Sequence, residues 1–295
     1  MVQPTYVFSR EGKARFSRSQ LVKSLIPAGL TYEQAYSIAE KIRSDIKSKN
    51  ITEITDNKIA KLVETELKKI KPEFLRRYSL WRKIKYTKPL IILIGGGTGV
   101  GTSTLAAELA SLLGITKVIG TDSIREIMRS TISKSIVPSI YKSTYNAWEV
   151  YGDLLPYRAS VLHGYDVQVQ KVSFGINAMI DRALRENENL IIEGVHILPG
   201  LFEKHKNTFE YIVDIENEKV HRFRFYRRES ITSLRPAAKY LKYFVEIRDI
   251  RNFIIKKSRE KNIPVIQNLD VQEALKELVK HIEDDFEKKK GNKKG

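Results

Sequence analysis

Apolar and polar positions alternate in two different ways along the chain. Up to about residue 71, apolar residues recur every three or four positions on three segments, as on one face of an amphipathic helix. These faces consist of Leu21, Val22, Leu25 and Ile26, then Ala35, Ile38, Ala39, Ile42 and Ile46, then Ile59, Leu62, Val63 and Leu67. Ahead of them, "TYVFSREGKARFS" predicts two short strands around a turn at Glu11-Gly12. The pattern predicts a small, mostly helical domain over residues 1–71.

From Pro89 onward, short continuous apolar runs alternate with helical patterns. "PLIILIGGG" is apolar up to its glycines, which is typical of a strand buried on both faces in a parallel sheet. Further strands are predicted at Val118–Ile119, at Leu190–Ile192, in "FEYIVDI" and in "IPVIQ", and a terminal helix in "DVQEALKELVKHI". This alternation predicts an α/β domain over residues 89–285, with three layers and a parallel sheet of about five strands. A basic tail follows over residues 286–295.

The segment between the two regions, residues 72–88, is "PEFLRRYSLWRKIKYTK". It is basic and contains aromatic residues. We interpret it as a connector in which Tyr78 and Trp81 pack between the domains rather than stack on a base.

The stretch "GGGTGVGTST" lies between the first strand and a helix of the second region. Its spacing matches the phosphate-binding pattern G-x-x-x-x-G-K-[ST], except that Thr102 stands where the lysine is expected. A glycine-rich loop at a helix N-terminus offers backbone N–H groups to phosphates without any lysine. The predicted nucleotide-binding residues are Gly96, Gly97, Thr98, Gly99, Val100, Gly101, Thr102, Ser103 and Thr104. The loop is therefore either a strand–turn–helix unit without nucleotide, or a working loop whose positive charge comes from elsewhere.

Two acidic residues follow the second and third strands, where open parallel sheets bind their ligands. Asp122 is predicted to accept a proton from a substrate hydroxyl or to hold a metal, although capping a helix would also explain it. Glu193 ends the third strand and is predicted, together with Ser103, to place Mg²⁺. His196 is kept only as a supporting residue.

Arginines are concentrated in places that suit an anionic substrate. Arg125 and Arg129 lie one helical turn apart, and Arg158 lies in the long segment between the second and third strands. "HRFRFYRRESITSLRP" contains Arg227, Arg228 and Arg235 and resembles a lid that closes over a nucleotide. We predict substrate binding for Arg125, Arg129, Arg158 and Arg235, and catalytic roles for Asp122, Arg227 and Arg228. One of the lid arginines, or Arg125, would supply the charge that Thr102 lacks. A nucleic-acid patch is the competing interpretation.

Composition narrows the class of protein. The 295 residues are 42% hydrophobic and 29% charged, with a net charge of +17 and no cysteine. Disulfides and thiolate metal sites are excluded, and a reducing compartment fits. No apolar run approaches the length that spans a bilayer. We expect a soluble, cytoplasmic protein without a membrane partner. The net charge first suggests a nucleic-acid partner, but its distribution along the chain favours small phosphorylated ligands, and a homo-oligomer is left open.

The N-terminal region resembles the ATP-cone domain, a nucleotide-binding regulatory module. The resemblance is carried by "REGKARFS", "SQLVKSLIPAGL" and "EQAYSIAEKI". The basic residues near the hairpin, Arg10, Lys13, Arg15 and Arg18, could then contact phosphates. The alternative is a helical cap that binds nothing, with these residues solvating the surface.

The second region resembles the phosphate-loop kinases, and most closely the archaeal 2-phosphoglycerate kinase family. The resemblance is carried by "GGGTGVGTSTLAAELASLLGI", "VIGTDSIREIMR", "NLIIEGVHILPG" and "HRFRFYRRE". That family also has threonine at the lysine position. The resemblance implies phosphorylation of 2-phosphoglycerate by ATP and Mg²⁺ to 2,3-bisphosphoglycerate. In methanogenic archaea this leads to cyclic 2,3-diphosphoglycerate, a thermoprotective solute. The alternatives are a kinase for another small acid or a nucleotide, and a nucleotide-sensing regulator that binds DNA.

Overall fold

The computed structural model describes residues 4–9, 12–87, 89–152, 156–203, 205, 207–231 and 236–291. The chain divides into two compact units, an N-terminal unit, Met1–Tyr86, and a C-terminal unit, Thr87–Gly295. Among the described residues, no helix is long and apolar enough to cross a membrane.

The N-terminal unit combines a small sheet with four helices. The strands are β1 (Tyr6–Ser9), β2 (Gly12–Arg15) and β3 (Glu53–Thr55), and the helices are α1 (Arg18–Leu25), α2 (Tyr32–Ser48), α3 (Asp56–Lys68) and α4 (Pro72–Lys85). β1 pairs antiparallel with β2 and parallel with β3. The two predicted strands pair as expected and the first three helices are confirmed, and the apolar faces of these helices form one buried core. Arg10 and Glu11, between the two strands, lie outside the described residues. The three-residue strand β3 was not predicted.

Helix α4 changes the interpretation of the expected connector. Residues 72–85 are helical, starting at Pro72, which suits the first helical position because its missing N–H would have no partner there. Tyr78 is buried in the core of the N-terminal unit, where Phe74 and Leu75 also pack. The segment is therefore part of that unit. Tyr78, which we expected to pack between the domains, contributes its ring to the core of the N-terminal unit.

The C-terminal unit contains a sheet of five parallel strands, as predicted. The strands are β4 (Ile91–Gly96), β5 (Val118–Gly120), β6 (Leu190–Gly194), β7 (Thr208–Asp214) and β8 (Val265–Gln267), in the order β5-β6-β4-β7-β8. All four pairings are parallel. The helices are α5 (Thr102–Leu113), α6 (Thr121–Thr131), α7 (Tyr157–Glu186), α8 (Glu218–Ile231), α9 (Ala237–Lys242), α10 (Phe244–Lys261) and α11 (Val271–Gly291). Helix α11 extends into the segment expected to be a tail.

Strand order and burial determine where a ligand can bind. β4 is central and buried along its whole length, which requires cover on both faces. Because all five strands run in the same direction, their carboxyl ends lie at one edge of the sheet. That edge carries the glycine loop after β4 and the residues that end or follow the other strands. Such an edge is where open α/β sheets bind ligands.

Candidate functional site

The glycine loop has a backbone that only glycine adopts easily at two positions. Gly99 and Gly101 have φ angles of 91° and 94°, in the left-handed region. Neighbouring side chains also leave no room for a larger residue. A Cβ atom at Gly99 would lie 2.6 Å from Cζ of Phe225, and one at Gly101 would lie 2.5 Å from Nδ2 of Asn268. Phe225 and Asn268 therefore pack closely against the loop, just before helix α5 begins at Thr102.

The threonine at the lysine position is engaged with an acidic residue. The Thr102 hydroxyl donates to Oε2 of Glu193 at 2.6 Å, and the Ser103 hydroxyl donates to Oε1 at 2.9 Å. Glu193 is 9% exposed and is the second-to-last residue of β6, beside β4. The structure therefore brings together three residues predicted from the sequence. These two hydrogen bonds join the start of helix α5 to strand β6.

This cluster fits a magnesium ion. Mg²⁺ prefers oxygen ligands and is usually held by one or two protein groups together with substrate phosphates and water. The Ser103 hydroxyl and the Glu193 carboxylate are oxygen ligands of that kind, beside a phosphate-binding loop. No group of three or more His, Asp or Glu side chains with metal-site geometry occurs in the described part of the chain. A metal here would thus be shared with a phosphate rather than caged by protein.

Asp122 lies on the first turn of α6, after β5. Its side chain is 75% exposed, and its Oδ1 lies 3.3 Å from Nη2 of Arg125. Arg125 is largely buried and also donates to the carbonyl of Lys142. Its Nε is buried and has no hydrogen-bond partner among the described residues. The pair therefore offers an accessible carboxylate beside a cation that the fold holds in place.

Buried polar side chains beside this pair form a hydrogen-bond network that shares the Lys142 carbonyl with Arg125. Nδ1 of His196 lies 3.0 Å from the Thr121 hydroxyl, and Nε2 lies 3.2 Å from Oε1 of Gln168. The Gln168 amide donates to the Lys142 carbonyl at 3.0 Å, the same carbonyl that Arg125 uses. Burial lowers the pKa of His196 to about 4, so the ring is neutral at neutral pH. The network joins α6, α7 and the loop after β6.

The remaining predicted arginines are arranged differently. Arg129 pairs with Glu126 at 2.7 Å and lies over the Tyr141 ring. Arg158 is 78% exposed, with its Nε 3.4 Å from Asp249 on α10. The structure shows no contact that links either arginine to Asp122. Their roles in substrate binding stay predictions.

Arginines of the predicted lid lie at the end of α8. Arg227 is exposed and Arg228 is half-buried. Neither has an ion-pair partner among the described residues. Arg235 lies outside the described residues. The source of the charge that would replace the missing lysine therefore stays a prediction.

Four residues around the loop were missed by the sequence analysis. Asp214 ends β7, is 1% exposed, and receives the Arg251 guanidinium through both carboxylate oxygens, with Nε to Oδ1 at 2.6 Å. Arg251 lies against Gly97, where an added Cβ would be 3.1 Å from its own Cβ. His221 and Asn268 contact loop carbonyls. Asp214 and Asn268 lie at the carboxyl ends of β7 and β8, a position that could have singled them out. Nothing in the local sequence distinguishes His221 or Arg251.

Known proteins resemble this chain over nearly its whole length. The ATP cone domain model matches residues 6–86. A 2-phosphoglycerate kinase of Methanopyrus kandleri is 40% identical over 282 residues, covering 94% of this chain and 86% of the relative. The chain belongs to the 2-phosphoglycerate kinase family.

Two further members of the family give the same result. The 2-phosphoglycerate kinase of Methanothermobacter thermautotrophicus is 39% identical over 274 residues, covering 90% of each chain. That of Pyrococcus horikoshii is 40% identical over 271 residues, covering 90% of this chain and 89% of the relative. Family membership and the N-terminal ATP-cone domain both support ATP as a ligand. The resemblance found in the sequence is thus confirmed.

Proposed function

We propose that this protein is an ATP-dependent kinase that converts 2-phosphoglycerate to 2,3-bisphosphoglycerate. The observation that carries the proposal is the 40% identity to a 2-phosphoglycerate kinase over almost the whole of both chains. The parallel sheet with a glycine loop, and the hydroxyl–carboxylate cluster at Ser103 and Glu193, support a phosphoryl-transfer reaction in particular.

The nucleotide phosphates would bind at the loop between β4 and α5. The free N–H groups at the start of a helix and the positive end of its dipole attract phosphate oxygens. Residues 96–104 would surround the β- and γ-phosphates. Ser103 and Glu193 would hold Mg²⁺, which neutralises charge on the phosphates during transfer. Thr102 would keep Glu193 in position through its 2.6 Å hydrogen bond.

The acceptor would bind beside Asp122. The free hydroxyl of 2-phosphoglycerate attacks the γ-phosphorus, the bond from that phosphorus to the oxygen of ADP breaks, and the hydroxyl proton passes to Asp122. Arg125 would bind an acidic group of the acceptor, since its Nε has no partner in the described part of the chain and its guanidinium is held by the Lys142 carbonyl. Arg129, Arg158 and Arg235 would bind the remaining carboxylate or phosphate oxygens.

Arginines of helix α8 would complete the positive charge. Arg227 and Arg228 are free of ion pairs within the described chain, so approaching a phosphate would break no existing bridge. In this proposal they neutralise the charge that develops on the transferred group.

An acceptor panel tests the proposal. The protein is incubated with Mg-ATP and 2-phosphoglycerate, 3-phosphoglycerate, shikimate or a nucleoside monophosphate, and ADP release is followed. We expect ADP release that depends on 2-phosphoglycerate. Release with another acceptor alone would overturn the substrate while leaving a kinase. ATP binding without transfer, together with salt-dependent DNA binding, would favour the sensing regulator instead.

A further inference from the structure

Two backbone carbonyl groups of the glycine loop accept hydrogen bonds from buried side chains of other elements. Nε2 of His221 on α8 lies 2.8 Å from the Thr98 carbonyl oxygen. The Asn268 amide nitrogen, just after β8, donates to the Val100 carbonyl at 2.7 Å. Both side chains are fully buried. Their elements are far apart in sequence, yet they reach alternate carbonyls of the same loop.

Holding these carbonyls also fixes two N–H groups. A peptide unit is planar and trans, so its C=O and N–H point in opposite directions. The Thr98 carbonyl shares its peptide with the N–H of Gly99, and the Val100 carbonyl shares its peptide with that of Gly101. In the described part of the chain, no acceptor takes either of these N–H groups. They are left facing away from His221 and Asn268.

The protonation of His221 is also determined. A carbonyl oxygen only accepts, so Nε2 must carry the hydrogen. Nδ1 faces Nη1 of Arg248 at 3.4 Å, and arginine only donates, so Nδ1 is the unprotonated nitrogen. Arg248 is itself fixed by the carbonyls of Ile215 and Glu216, each at 2.8 Å. A fixed cation therefore lies behind a neutral imidazole that donates to the loop.

We propose that His221 and Asn268 are positioning residues, which aim the Gly99 and Gly101 N–H groups at the nucleotide phosphates and compensate in part for the missing lysine. A hydrogen bond accepted by a peptide carbonyl polarises the N–H of the same peptide, so both donors are strengthened as well as oriented. Arg248 adds to this at the His221 side. The inference rests on the proposed function for the identity of the ligand, and on the geometry alone for the polyphosphate class.

The glycines explain why both contacts exist. A Cβ at Gly99 would lie 3.2 Å from Nε2 of His221, and a Cβ at Gly101 would lie 2.5 Å from Nδ2 of Asn268. Any side chain at Gly101 would displace the amide, and one at Gly99 would press on the imidazole. Glycine at these two positions therefore leaves room for His221 and Asn268, and it also allows phosphate to approach the backbone closely.

The test uses His221→Phe and His221→Gln in the full-length protein. Phenylalanine keeps a buried ring against Phe225 and Phe244 but has no donor. The glutamine amide nitrogen reaches the place of Nε2 and keeps the donor. Ser258→Ala is the matched control, because it removes a buried hydrogen bond from α10, to the Ile263 carbonyl, outside the loop. The probes are the affinity for inorganic tripolyphosphate by calorimetry, the KM for ATP and the KM for 2-phosphoglycerate.

We expect His221→Phe to weaken tripolyphosphate binding and raise the KM for ATP roughly five- to tenfold, the size of one lost hydrogen bond. His221→Gln should stay near the wild type, Ser258→Ala should match it, and the KM for 2-phosphoglycerate should not move. Asn268→Leu should act in the same direction as His221→Phe, and serves if that variant does not fold. Unchanged tripolyphosphate affinity in the folded Phe or Leu variant, or equal loss in the Gln and Phe variants, would overturn the inference. If the wild type binds tripolyphosphate with this ranking but does not phosphorylate 2-phosphoglycerate, the proposed function fails and the positioning role stands.

Discussion

The two units of the molecule differ in how many polar side chains they bury. In the N-terminal unit, charged residues pair at the surface, for example Lys13 with Glu53 at 3.1 Å and Arg18 with Glu40 at 2.6 Å. In the C-terminal unit, many polar residues are buried. Leaving tyrosine and tryptophan aside, the buried polar residues of the described chain are Thr121, Ser139, Thr144, Ser160, Gln168, Ser173, Glu193, His196, Asp214, His221, Glu246, Ser258, Asn268 and Glu283. All of them belong to the C-terminal unit.

This difference indicates where the chemistry lies. A buried polar group needs a partner, because leaving it unpaired costs about 1 to 3 kcal/mol. In the C-terminal unit, hydrogen bonds of buried polar groups fix the glycine loop, Glu193 and the support of Arg125. Groups fixed in this way act on a substrate without reorganising, whereas surface pairs are solvated and mobile. The N-terminal unit is thus held mainly by its apolar core.

The largest expected effect comes from an exposed residue, although the other groups fixed at the site are buried. Asp122 is 75% exposed, yet we expect Asp122→Asn to lower kcat by about 100- to 10,000-fold, the usual size of general base catalysis. The KM for ATP should change by less than about twofold, because the carboxylate would act on the acceptor hydroxyl. Steady-state kinetics on both substrates measures this.

Glu126→Gln is the matched control for that variant. Glu126 is an exposed acid on the same helix and pairs with Arg129 rather than with Arg125. It should change kcat far less than Asp122→Asn. An equal loss of kcat and of ATP affinity in Asp122→Asn would remove Asp122 as the base.

The next largest effect is expected on the stability of the C-terminal unit, at its buried ion pair. Asp214→Asn removes the charge that pairs with the nearly buried Arg251, and should destabilise the C-terminal unit by about 3 to 5 kcal/mol, as expected for a broken buried pair. The chain has two tryptophans, Trp81 and Trp148, one in each unit. In a Trp81→Phe background, tryptophan fluorescence in a urea titration therefore reports the C-terminal unit. A shift of less than 1 kcal/mol, on the order of a surface pair, would contradict the account.

The stability of the two units should depend differently on pH because of their histidines. All five histidines lie in the C-terminal unit, and burial lowers the pKa of His196 and His221 from 6.5 to about 4. Between these values the unfolded chain binds protons that the folded unit does not, so stability falls as the pH decreases from 6.5 to 4. Each histidine should contribute up to about 3 kcal/mol to this loss, at 1.36 kcal/mol per pKa unit.

A pH titration on a Trp148→Phe background reports the N-terminal unit. Its pairs lower the pKa of Glu40 and Glu66, through hydrogen bonds to Arg18 and Lys41 respectively, so their contribution is lost only below 4.5. We therefore expect the stability of this unit to change little between pH 6.5 and 4.5. His196→Phe should reduce the slope for the C-terminal unit in that range. A slope that does not change would show that His196 is not buried in its neutral form.

The smallest effect is expected at the surface of the N-terminal unit. Glu66→Gln removes an acid that pairs with Lys41 and Lys69, both at 2.7 Å. Glu66 itself is 17% exposed, but both lysines are about half exposed and solvated, so the unfolding free energy should change by less than about 1 kcal/mol. Urea unfolding of Trp148→Phe with and without Glu66→Gln measures the difference. A loss as large as that of Asp214→Asn would mean that surface pairs also hold this unit together.

The sequence predicted most of the fold because apolar periodicity is a local signal. It gave the helices at Leu21–Leu25, Ala35–Ile46 and Ile59–Leu67 and the five parallel strands. It did not give β3, which has three residues, or α4, whose apolar positions are interrupted by many basic ones. The phosphate-loop motif also singled out Thr102 and Ser103, and the end of the third predicted strand singled out Glu193, since both signals are local in the sequence.

The supporting residues of the site could not be predicted in the same way. His221, Arg248 and Asn268 lie on separate elements, more than 100 residues after the loop that they support. Their roles at the loop depend on burial and on hydrogen-bond distances of about 3 Å, which arise only when the sheet assembles. A lone histidine or asparagine carries no such information in its neighbours along the chain.

The central claim is that a phosphate loop without its lysine transfers a phosphoryl group to 2-phosphoglycerate. Phosphorus NMR of the protein with Mg-ATP and 2-phosphoglycerate tests it most directly, because ATP, ADP, inorganic phosphate and the product give separate signals. We expect ADP and 2,3-bisphosphoglycerate to appear in equal amounts, with no inorganic phosphate. Release of inorganic phosphate with 2-phosphoglycerate unchanged, or no loss of ATP, would contradict it.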